Sequence, residues 1–428
     1  MNQNLMHPKD QIVSCMERIY GYGMTTTSGG NLSVLDEEGN MWISPGGTDK
    51  GNLRREDIVC VKNDGTIQGF HPPSCEFPFH KAIYEKRPDV KAILHAHPPA
   101  LVSFSIVKEI PDTKIFPQVF HVCGDVGYAE YEMPASKELG DKISAAFAKG
   151  HNTVLLENHG IVTAGKTLTN AFEKFETLDY CARVIIKAKM IGKINSLTQT
   201  ELDLGNNPVP PLHEFTPDFH SSYEKELRMQ MMNMIKRSYS QMLFNSTAGT
   251  YSVRVNENSF LIMPYGIDRK NITVDDFVLI SHGKKEAGKM PSRSVRLHDD
   301  IYNAHPDINC IIIGHPVNIM AYSITDEIFN ARAIPESYVL LRDVPILKLE
   351  DRIKNSEKLI SSISNNNPVV IIKNDCFIAT GKSLLEAFDR MEVAEYSAKA
   401  LVTASVLGKV APITEQQTQE LKTVFGIE

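Results

Sequence analysis

Four blocks of sequence occur twice in this chain, in the same order. SGGNLSV at 28–34 matches TAGTYSV at 247–253, and ISPGGTDKGNL at 43–53 matches IMPYGIDRKNI at 262–272. RPDVKAILHAHP at 87–98 matches HPDINCIIIGHP at 305–316, and the block that begins AGKTLTNAF at 164 matches TGKSLLEAF at 380. The spacing between partners drifts only from 219 to 216 residues. Because this period is far too long for a solenoid, the sequence predicts two tandem copies of one complete domain.

The boundary between the copies is a proline-rich segment. DLGNNPVPPLHEFTPDF at 203–219 has four prolines and little apolar periodicity, which is typical of a linker. We therefore expect a first domain at 1–205, a linker at 206–219 and a second domain at 220–428. The length of 428 residues suits two domains of this size.

Composition excludes several classes of protein. The net charge of −7 gives no support to a nucleic-acid binder, and no apolar run is long enough to predict a membrane span. The first twenty residues lack the apolar core of a signal peptide, which favours the cytoplasm. The 7 cysteines are scattered and never spaced C-x-x-C, which argues against a disulfide framework or a cysteine zinc site.

Short strands and helices alternate within each copy. In the first copy the patterns predict helices at 9–22, 77–88 and 168–192, two strands in 31–44, a buried strand at 90–98, and two strands around 158–160. The predicted fold class is α/β, with a three-layer α/β/α domain in each copy. Strand order does not follow from these patterns.

Histidines in the first copy have the spacing of metal ligands. His95 and His97 are two residues apart on a predicted strand, so both imidazoles point to one face and form a chelate suited to zinc. The same pair is also compatible with a packing role alone. His159 lies at a bend beside a glycine and is a candidate third ligand. Glu76 begins a predicted helix, where a carboxylate is explained equally well by the helix dipole.

Taken together, the motifs of the first copy resemble the class II aldolase/adducin family. They are SGGNLS, ISPGG, PSCEFPFH, LHAHP and ENHG, in the family's order and spacing. The resemblance implies Zn²⁺, or another divalent metal such as Mn²⁺, bound by His95, His97 and His159. It also implies that Glu76 is the acid/base carboxylate of a lyase whose substrate passes through a metal-stabilised enediolate.

The anion pocket departs in part from the family pattern. The resemblance assigns this pocket to six residues: Ser28, Asn31, Gly46, Gly47, Ser74 and Cys75. Gly46 and Cys75 stand where the family has hydroxyl residues, so either a sugar phosphate or a sugar acid is expected as substrate. The aldolases place a tyrosine acid near His121, which is expected either to donate a proton in its place or to be a surface residue.

The second copy has lost the proposed site. The positions of the three histidines and the glutamate hold Ile313, His315, Asp375 and Ser294. Because the family's enzymes are tetramers with sites between subunits, the resemblance implies that the second domain supplies a neighbouring wall. A homodimer would then form a pseudo-tetramer. The rival expectation is a regulatory ligand site that uses Arg293, Arg296 or His298.

The expected activity is metal-dependent aldol cleavage of a sugar phosphate or related sugar acid. A metal-dependent dehydratase or epimerase of a ketose phosphate is an alternative on the same scaffold. A non-catalytic, adducin-like binding module is an alternative from another class. The complete set of three histidines and one glutamate in the first copy favours an enzyme.

Overall fold

A computed structural model describes residues 5–427. Residues 1–4 and Glu428, at the outer ends of the two predicted domains, lie outside the described residues. The chain forms two compact units, one of Met1–Thr113 with Val119–Arg183 and one of Lys114–Gln118 with Val184–Glu428. The helices are α1 (Pro8–Gly21), α2 (Phe77–Lys86), α3 (Pro99–Ile106), α4 (Pro117–Cys123), α5 (Lys137–Ala148), α6 (Leu168–Ile191), α7 (Gln199–Gly205), α8 (Ser222–Ser240), α9 (Val295–Ala304), α10 (Val317–Ser323), α11 (Pro335–Leu341), α12 (Leu349–Ile353), α13 (Ser356–Ser362), α14 (Leu384–Leu407) and α15 (Glu415–Phe425).

The first unit is built on an eight-stranded sheet. Its strands are β1 (Asn31–Leu35), β2 (Met41–Ile43), β3 (Val59–Val61), β4 (Ile67–Gln68), β5 (Ala92–Ala96), β6 (Gly127–Ala129), β7 (Thr153–Leu156) and β8 (Gly160–Gly165). Their spatial order is β4-β3-β2-β1-β5-β8-β7-β6. Neighbours are antiparallel except β6 and β7, which run parallel at one edge.

The second unit repeats this topology in a nine-stranded sheet. Its strands are β9 (Glu214–Phe215), β10 (Thr250–Asn256), β11 (Ser259–Ile262), β12 (Val278–Ser281), β13 (Lys284–Glu286), β14 (Cys310–Gly314), β15 (Ile346–Leu347), β16 (Val369–Ile372) and β17 (Cys376–Gly381). The order is β15-β16-β17-β14-β10-β11-β12-β13-β9, so the same arrangement recurs with β9 added at one edge. β9 lies within residues 206–219 and pairs in parallel with β13.

The two sheets agree in register as well as in order. Asn31 pairs with His95 across β1 and β5, and Thr250 pairs with Ile313 across β10 and β14. These are the same pairs of positions in the two sequence repeats. The predicted pair of tandem α/β copies is therefore confirmed.

Helices cover the sheet of the first unit in layers. α2 and α5 pack together on one face, where Phe79, Ile83 and Phe147 join strand residues such as Ile93 in one buried cluster. α1 contacts β1 and β2, while α3 contacts β7 and β8. Burial of these apolar side chains is the main stabilising contribution to the domain.

The secondary structure predicted for the first copy is also confirmed. The helices at 9–22, 77–88 and 168–192 and the strands around residues 31–44, 90–98 and 152–165 are all present, with ends shifted by a few residues. None of the helices described between residues 5 and 427 is both long and apolar enough to cross a membrane.

Candidate metal centre

Three imidazoles converge at one end of β5. His95 lies on β5 and His97 one residue beyond it, while His159 lies in the turn between β7 and β8. Because β8 pairs with β5 up to Ala96 opposite Ile161, that turn is brought beside the end of β5. The Nε2 atoms of His95 and His97 are 3.0 Å apart, and one nitrogen from each of the three rings lies within 4.8 Å of the others.

Two glycines make room for this convergence. A Cβ atom on Gly160 would lie 2.6 Å from the carbonyl oxygen of Ala96 and 2.6 Å from Cδ2 of His97. A Cβ atom on Gly29 would lie 2.8 Å from Nδ1 of His97. Since such distances are shorter than real Cβ contacts, only glycine allows the present approach of the ring at both positions.

The protonation of the rings suits a cation. The Nδ1 atom of His95 is 3.0 Å from the carbonyl oxygen of Ile161, so Nδ1 carries the proton and Nε2 presents a lone pair. Burial, together with the neighbouring imidazoles, lowers the pKa of His95 and of His97 to about 3. Neutral imidazoles with converging lone pairs are the donor set that zinc and similar divalent ions take, so the residues fit the metal implied by the resemblance.

Glu76 lies directly against the imidazoles. Its Oε2 atom is 3.3 Å from Nε2 of His95, and its Oε1 atom is 3.7 Å from Nε2 of His159. It occupies the N-cap position of α2, yet its side chain makes no capping hydrogen bond. The helix-dipole explanation of this carboxylate therefore accounts for its position on the chain but not for the direction in which it points.

Asn31 contacts the carboxylate. Its Nδ2 atom donates to Oε2 of Glu76 at 2.7 Å, and its Oδ1 atom is 2.5 Å from Nε2 of His80. The predicted role of Asn31 in anion binding stays a prediction, since in the structure its side chain holds an acidic residue and an imidazole. His80 was not among the site residues predicted from the sequence. Its position one helical turn after Glu76, and its recurrence as His298 in the repeat, are the signals that mark it.

The structure brings part of the predicted anion pocket together. Gly46 donates its backbone N–H to the carbonyl of Pro72 at 3.1 Å, which places the glycine loop beside Ser74 and Cys75. Ser74 is buried and accepts from the backbone N–H of Glu76 at 3.3 Å, whereas Cys75 is exposed. Gly47 is exposed and has a positive φ of 67°, and Ser28 is exposed in the loop before β1.

Lys50 is a buried cation in this region that the sequence analysis missed. It is 3% exposed, and its Nζ atom donates to the carbonyl of Pro45. Burial lowers the pKa of its ammonium. Arg269 holds the same place in the second copy and donates to the carbonyls of Thr247 and Gly249 at 2.7 and 2.8 Å. Because a buried cation binds the loop carbonyls in both copies, we infer that Lys50 has a structural role.

His121 is not part of this group. It is exposed on α4, and no hydrogen bond or ion pair between described residues links it to the imidazoles. Its predicted role as a proton donor stays a prediction.

The equivalent place in the second unit holds other contacts. Asp375 forms an ion pair with Arg352, whose Nη2 atom donates to Oδ1 at 3.1 Å. His298 is fully buried and its Nδ1 atom is 2.6 Å from Oγ of Ser252. Among the residues the structure describes, the group around His95 is the one set of three His, Cys, Asp or Glu side chains with metal-ligand proximity.

Comparison with known proteins gives a family match over both copies. Residues 10–186 and 229–402 each match the family described as Class II Aldolase and Adducin N-terminal domain. The chain is 31% identical over 204 residues to 5-deoxy-D-ribulose 1-phosphate aldolase of Bacillus thuringiensis, covering 46% of this chain and 93% of that protein. It is 32% identical over 203 residues to 3-oxo-tetronate 4-phosphate decarboxylase of Haemophilus influenzae, covering 46% of this chain and 96% of that protein. It is 31% identical over 192 residues to L-fuculose phosphate aldolase of Methanocaldococcus jannaschii, covering 43% of this chain and 99% of that protein.

Proposed function

Because the chain belongs to the class II aldolase and adducin N-terminal domain family, we propose that it is a divalent-metal-dependent aldolase. Its reaction is the cleavage of a sugar phosphate or a related sugar acid into two shorter fragments. The proposal rests on the convergence of three imidazoles with a carboxylate oxygen 3.3 Å from one of them.

Each residue of the group has a part in the proposed reaction. His95, His97 and His159 would hold a divalent cation, Zn²⁺ or another such as Mn²⁺, which would supply positive charge to the substrate oxygens. During cleavage the hydroxyl of the aldehyde-forming carbon loses its proton, and the bond between that carbon and the carbon next to the carbonyl breaks. The electron pair of the bond passes into the enediolate of the ketone fragment, on the carbon next to the carbonyl. Glu76 returns a proton to that carbon, and in the reverse direction its carboxylate removes the proton. His121 stays a candidate for the second proton transfer, to or from the hydroxyl oxygen of the other fragment.

The glycine loop and the segment before α2 are proposed to take the anionic end of the substrate. The backbone N–H of Gly47 and the Ser28 and Ser74 hydroxyls offer donors to a phosphate or carboxylate, while Gly46 holds the loop through its hydrogen bond to the Pro72 carbonyl. A phosphate is favoured because the names of the three relatives are all those of enzymes of phosphorylated substrates.

A decarboxylase is a second candidate, favoured by the relative from Haemophilus influenzae. Loss of carbon dioxide from a 3-oxo acid leaves an electron pair on the carbon next to a carbonyl, as aldol cleavage does. The same imidazoles and carboxylate would serve both reactions. The products differ, since only the aldolase releases an aldehyde.

The test uses the purified full chain, freed of metal by a chelator and reloaded with Zn²⁺ or Mn²⁺. Ketose phosphates, sugar acids and 3-oxo acid phosphates are supplied, and released aldehyde and carbon dioxide are both measured. Metal-restored aldehyde release from a phosphorylated ketose supports the proposal. Carbon dioxide without aldehyde supports the decarboxylase, dehydration or epimerisation products support those alternatives, and no metal uptake supports the binding module.

Glu76→Gln separates the acid/base role from metal binding. The variant should retain metal but slow the exchange of the carbon-bound proton with solvent by about 10²–10⁴-fold, since a lost acid/base group typically has that effect. Unchanged exchange would remove Glu76 from its proposed role.

Three further predictions from the sequence remain part of this proposal. They are the domain limits 1–205 and 220–428 with the linker at 206–219, the cytoplasmic location, and the homodimer that forms a pseudo-tetramer. Light scattering tests the last of these, because a monomer at micromolar concentration would contradict it.

A further inference from the structure

A continuous chain of buried hydrogen bonds ends on Glu76. The Tyr84 hydroxyl is 2.8 Å from Oγ of Ser33, and that oxygen is 2.7 Å from Nδ1 of His80. The chain continues from His80 Nε2 to Asn31 Oδ1 at 2.5 Å and from Asn31 Nδ2 to Glu76 Oε2 at 2.7 Å. All five residues are less than 9% exposed.

The direction of every bond in this chain follows from its last member. The Glu76 carboxylate oxygen accepts from the amide nitrogen of Asn31, so Asn31 presents its oxygen to His80. His80 must then donate from Nε2. Burial lowers the pKa of His80 to about 3, so the neutral ring has no second proton and Nδ1 accepts from the Ser33 hydroxyl. The Ser33 oxygen in turn accepts from Tyr84.

The second copy contains the same series of hydrogen bonds, but without the equivalents of its last two members, Asn31 and Glu76. Oγ of Ser252 lies 2.6 Å from Nδ1 of His298 and 2.7 Å from the Tyr302 hydroxyl, as in the first copy. Thr250 replaces the asparagine and its hydroxyl lies 2.8 Å from Oγ of Ser292, while Nε2 of His298 has no partner. The tyrosine, serine and histidine therefore persist without a catalytic glutamate, whereas the link from histidine through asparagine occurs only where the glutamate is present.

From this comparison we propose that His80 and Asn31 are positioning residues that fix the rotation of the Glu76 carboxylate. The series of hydrogen bonds holds Oε2 of Glu76 as an acceptor. It leaves Oε1, which faces His159, as the oxygen that exchanges a proton with substrate. This inference rests on the acid/base role of Glu76 in the proposed function. Tyr84 and Ser33 act one step further away, by holding the tautomer of His80.

The magnitude expected for positioning is smaller than that for the acid/base group itself. A carboxylate that loses its donor can rotate about its last bond and move the reacting oxygen by about 1 Å, and misplacement of that size costs up to about 10²-fold in rate. Metal retention should not change, because none of the three imidazoles is a member of this series of hydrogen bonds.

The first test reads the tautomer of His80 directly, with no dependence on activity. In the metal-free full chain labelled with ¹⁵N, the ring of His80 should appear as the neutral tautomer with its proton on Nε2, from pH 5 to pH 9. A proton on Nδ1, or a protonated ring within that range, would overturn the assigned direction of the chain.

The second test compares two substitutions of the same residue with a matched control. A glutamine amide reaches the place of Nε2, whereas an asparagine amide reaches only that of Nδ1, so His80→Gln should keep the bond to Asn31 and His80→Asn should lose it. We expect His80→Asn to lower the rate of proton exchange at carbon by about 10–100-fold with unchanged metal content, and His80→Gln to restore most of the rate. His298→Asn, the matched control in the second copy, should cost similar thermal stability and leave the rate unchanged.

Two outcomes would contradict the proposal. One is an equal rate for His80→Asn and His80→Gln, and the other is an equal loss of rate for His80→Asn and His298→Asn. If His80→Asn does not fold, Asn31→Thr breaks the same link with the residue that the second copy already accommodates, and an unchanged rate would again contradict it. Failure of the proposed function is distinguishable, because wild-type protein would then show no metal-dependent exchange while the tautomer measurement still reports on the chain.

Discussion

A methyl group at residue 160 should disturb the metal centre, because it would collide with the ring of His97. In Gly160→Ala the added carbon would lie 2.6 Å from the carbonyl oxygen of Ala96 and 2.6 Å from Cδ2 of His97, where ordinary contact begins at 3.4 Å. Something must therefore move by about 0.8 Å. Ala96 O belongs to the main chain of β5 in the middle of the sheet, so the ring of His97 is the more mobile of the two.

Displacement of one imidazole by that distance loosens one of three ligands. Disturbed support of a metal ligand typically lowers affinity by about 10–100-fold, and overpacking in a buried site costs about 1–3 kcal/mol of stability. We expect both effects in Gly160→Ala. Zinc affinity is measured by competition with a chromogenic chelator, and stability by urea unfolding of the metal-free protein.

Gly165→Ala provides the control on the same strand. Its added carbon would lie 2.7 Å from the backbone nitrogen of Ala171, which is a comparable clash at the other end of β8. It should lose similar stability and retain wild-type zinc affinity. Zinc affinity that is unchanged in Gly160→Ala, or lowered equally in both variants, would refute the reasoning from the close approach of His97.

Three other predictions test different parts of the chain. His95→Ala should abolish metal retention and His315→Ala should leave it nearly unchanged, as measured by metal content after dialysis; equal losses would refute the assignment of the site to the first copy. Burial lowers the pKa of His298 to about 3 from 6.5, so the unfolded chain binds the extra proton between these values. The contribution of this ring to the free energy of unfolding is therefore fully present above about pH 6.5 and falls by about 1.4 kcal/mol per pH unit as the pH is lowered towards 3. His298→Gln should reduce the slope of the urea-unfolding free energy against pH by that amount. Arg228 lies 2.7 Å from Glu224 and 3.2 Å from Glu286, and all three residues are buried. Glu286 also contacts Lys289 and Glu224 also contacts His220, but Arg228→Met removes the buried guanidinium that both carboxylates share. The substitution should cost about 3–5 kcal/mol in urea unfolding, and a loss below about 1 kcal/mol would contradict a stabilising role for these ion pairs.

Sequence patterns predicted most of the helices and strands, because the spacing of apolar residues along a segment largely decides its secondary structure. The segment 31–44 predicted β1 and β2, and the short apolar segment at 90–98 predicted β5. The repeat predicted two copies, and the agreement of strand order and register in both sheets confirms it. Strand order itself was beyond these patterns, because the pairing of β5 with β1 and β8 joins segments more than 50 residues apart.

The candidate site was predictable only in part. The structure brings His95, His97 and His159 together as expected, and their role as ligands stays a prediction. The partnership of Asn31 with His80 was not visible, since it depends on how β1 packs against α2, 49 residues along the chain. The burial of Lys50 was missed for a similar reason, because a charged residue in a glycine-rich loop normally predicts exposure.

The ion pair of Asp375 with Arg352 makes the loss of the second site hard to reverse. Restoring the third imidazole by Asp375→His would leave Arg352, whose side chain is 19% exposed, without its counter-ion. It would also remove the acceptor that lies 3.2 Å from Sγ of Cys376, the residue that occupies the place of Gly160. Variants that restored the ligands one at a time would therefore lose stability at this position, so these contacts oppose the rebuilding of a metal site in this copy.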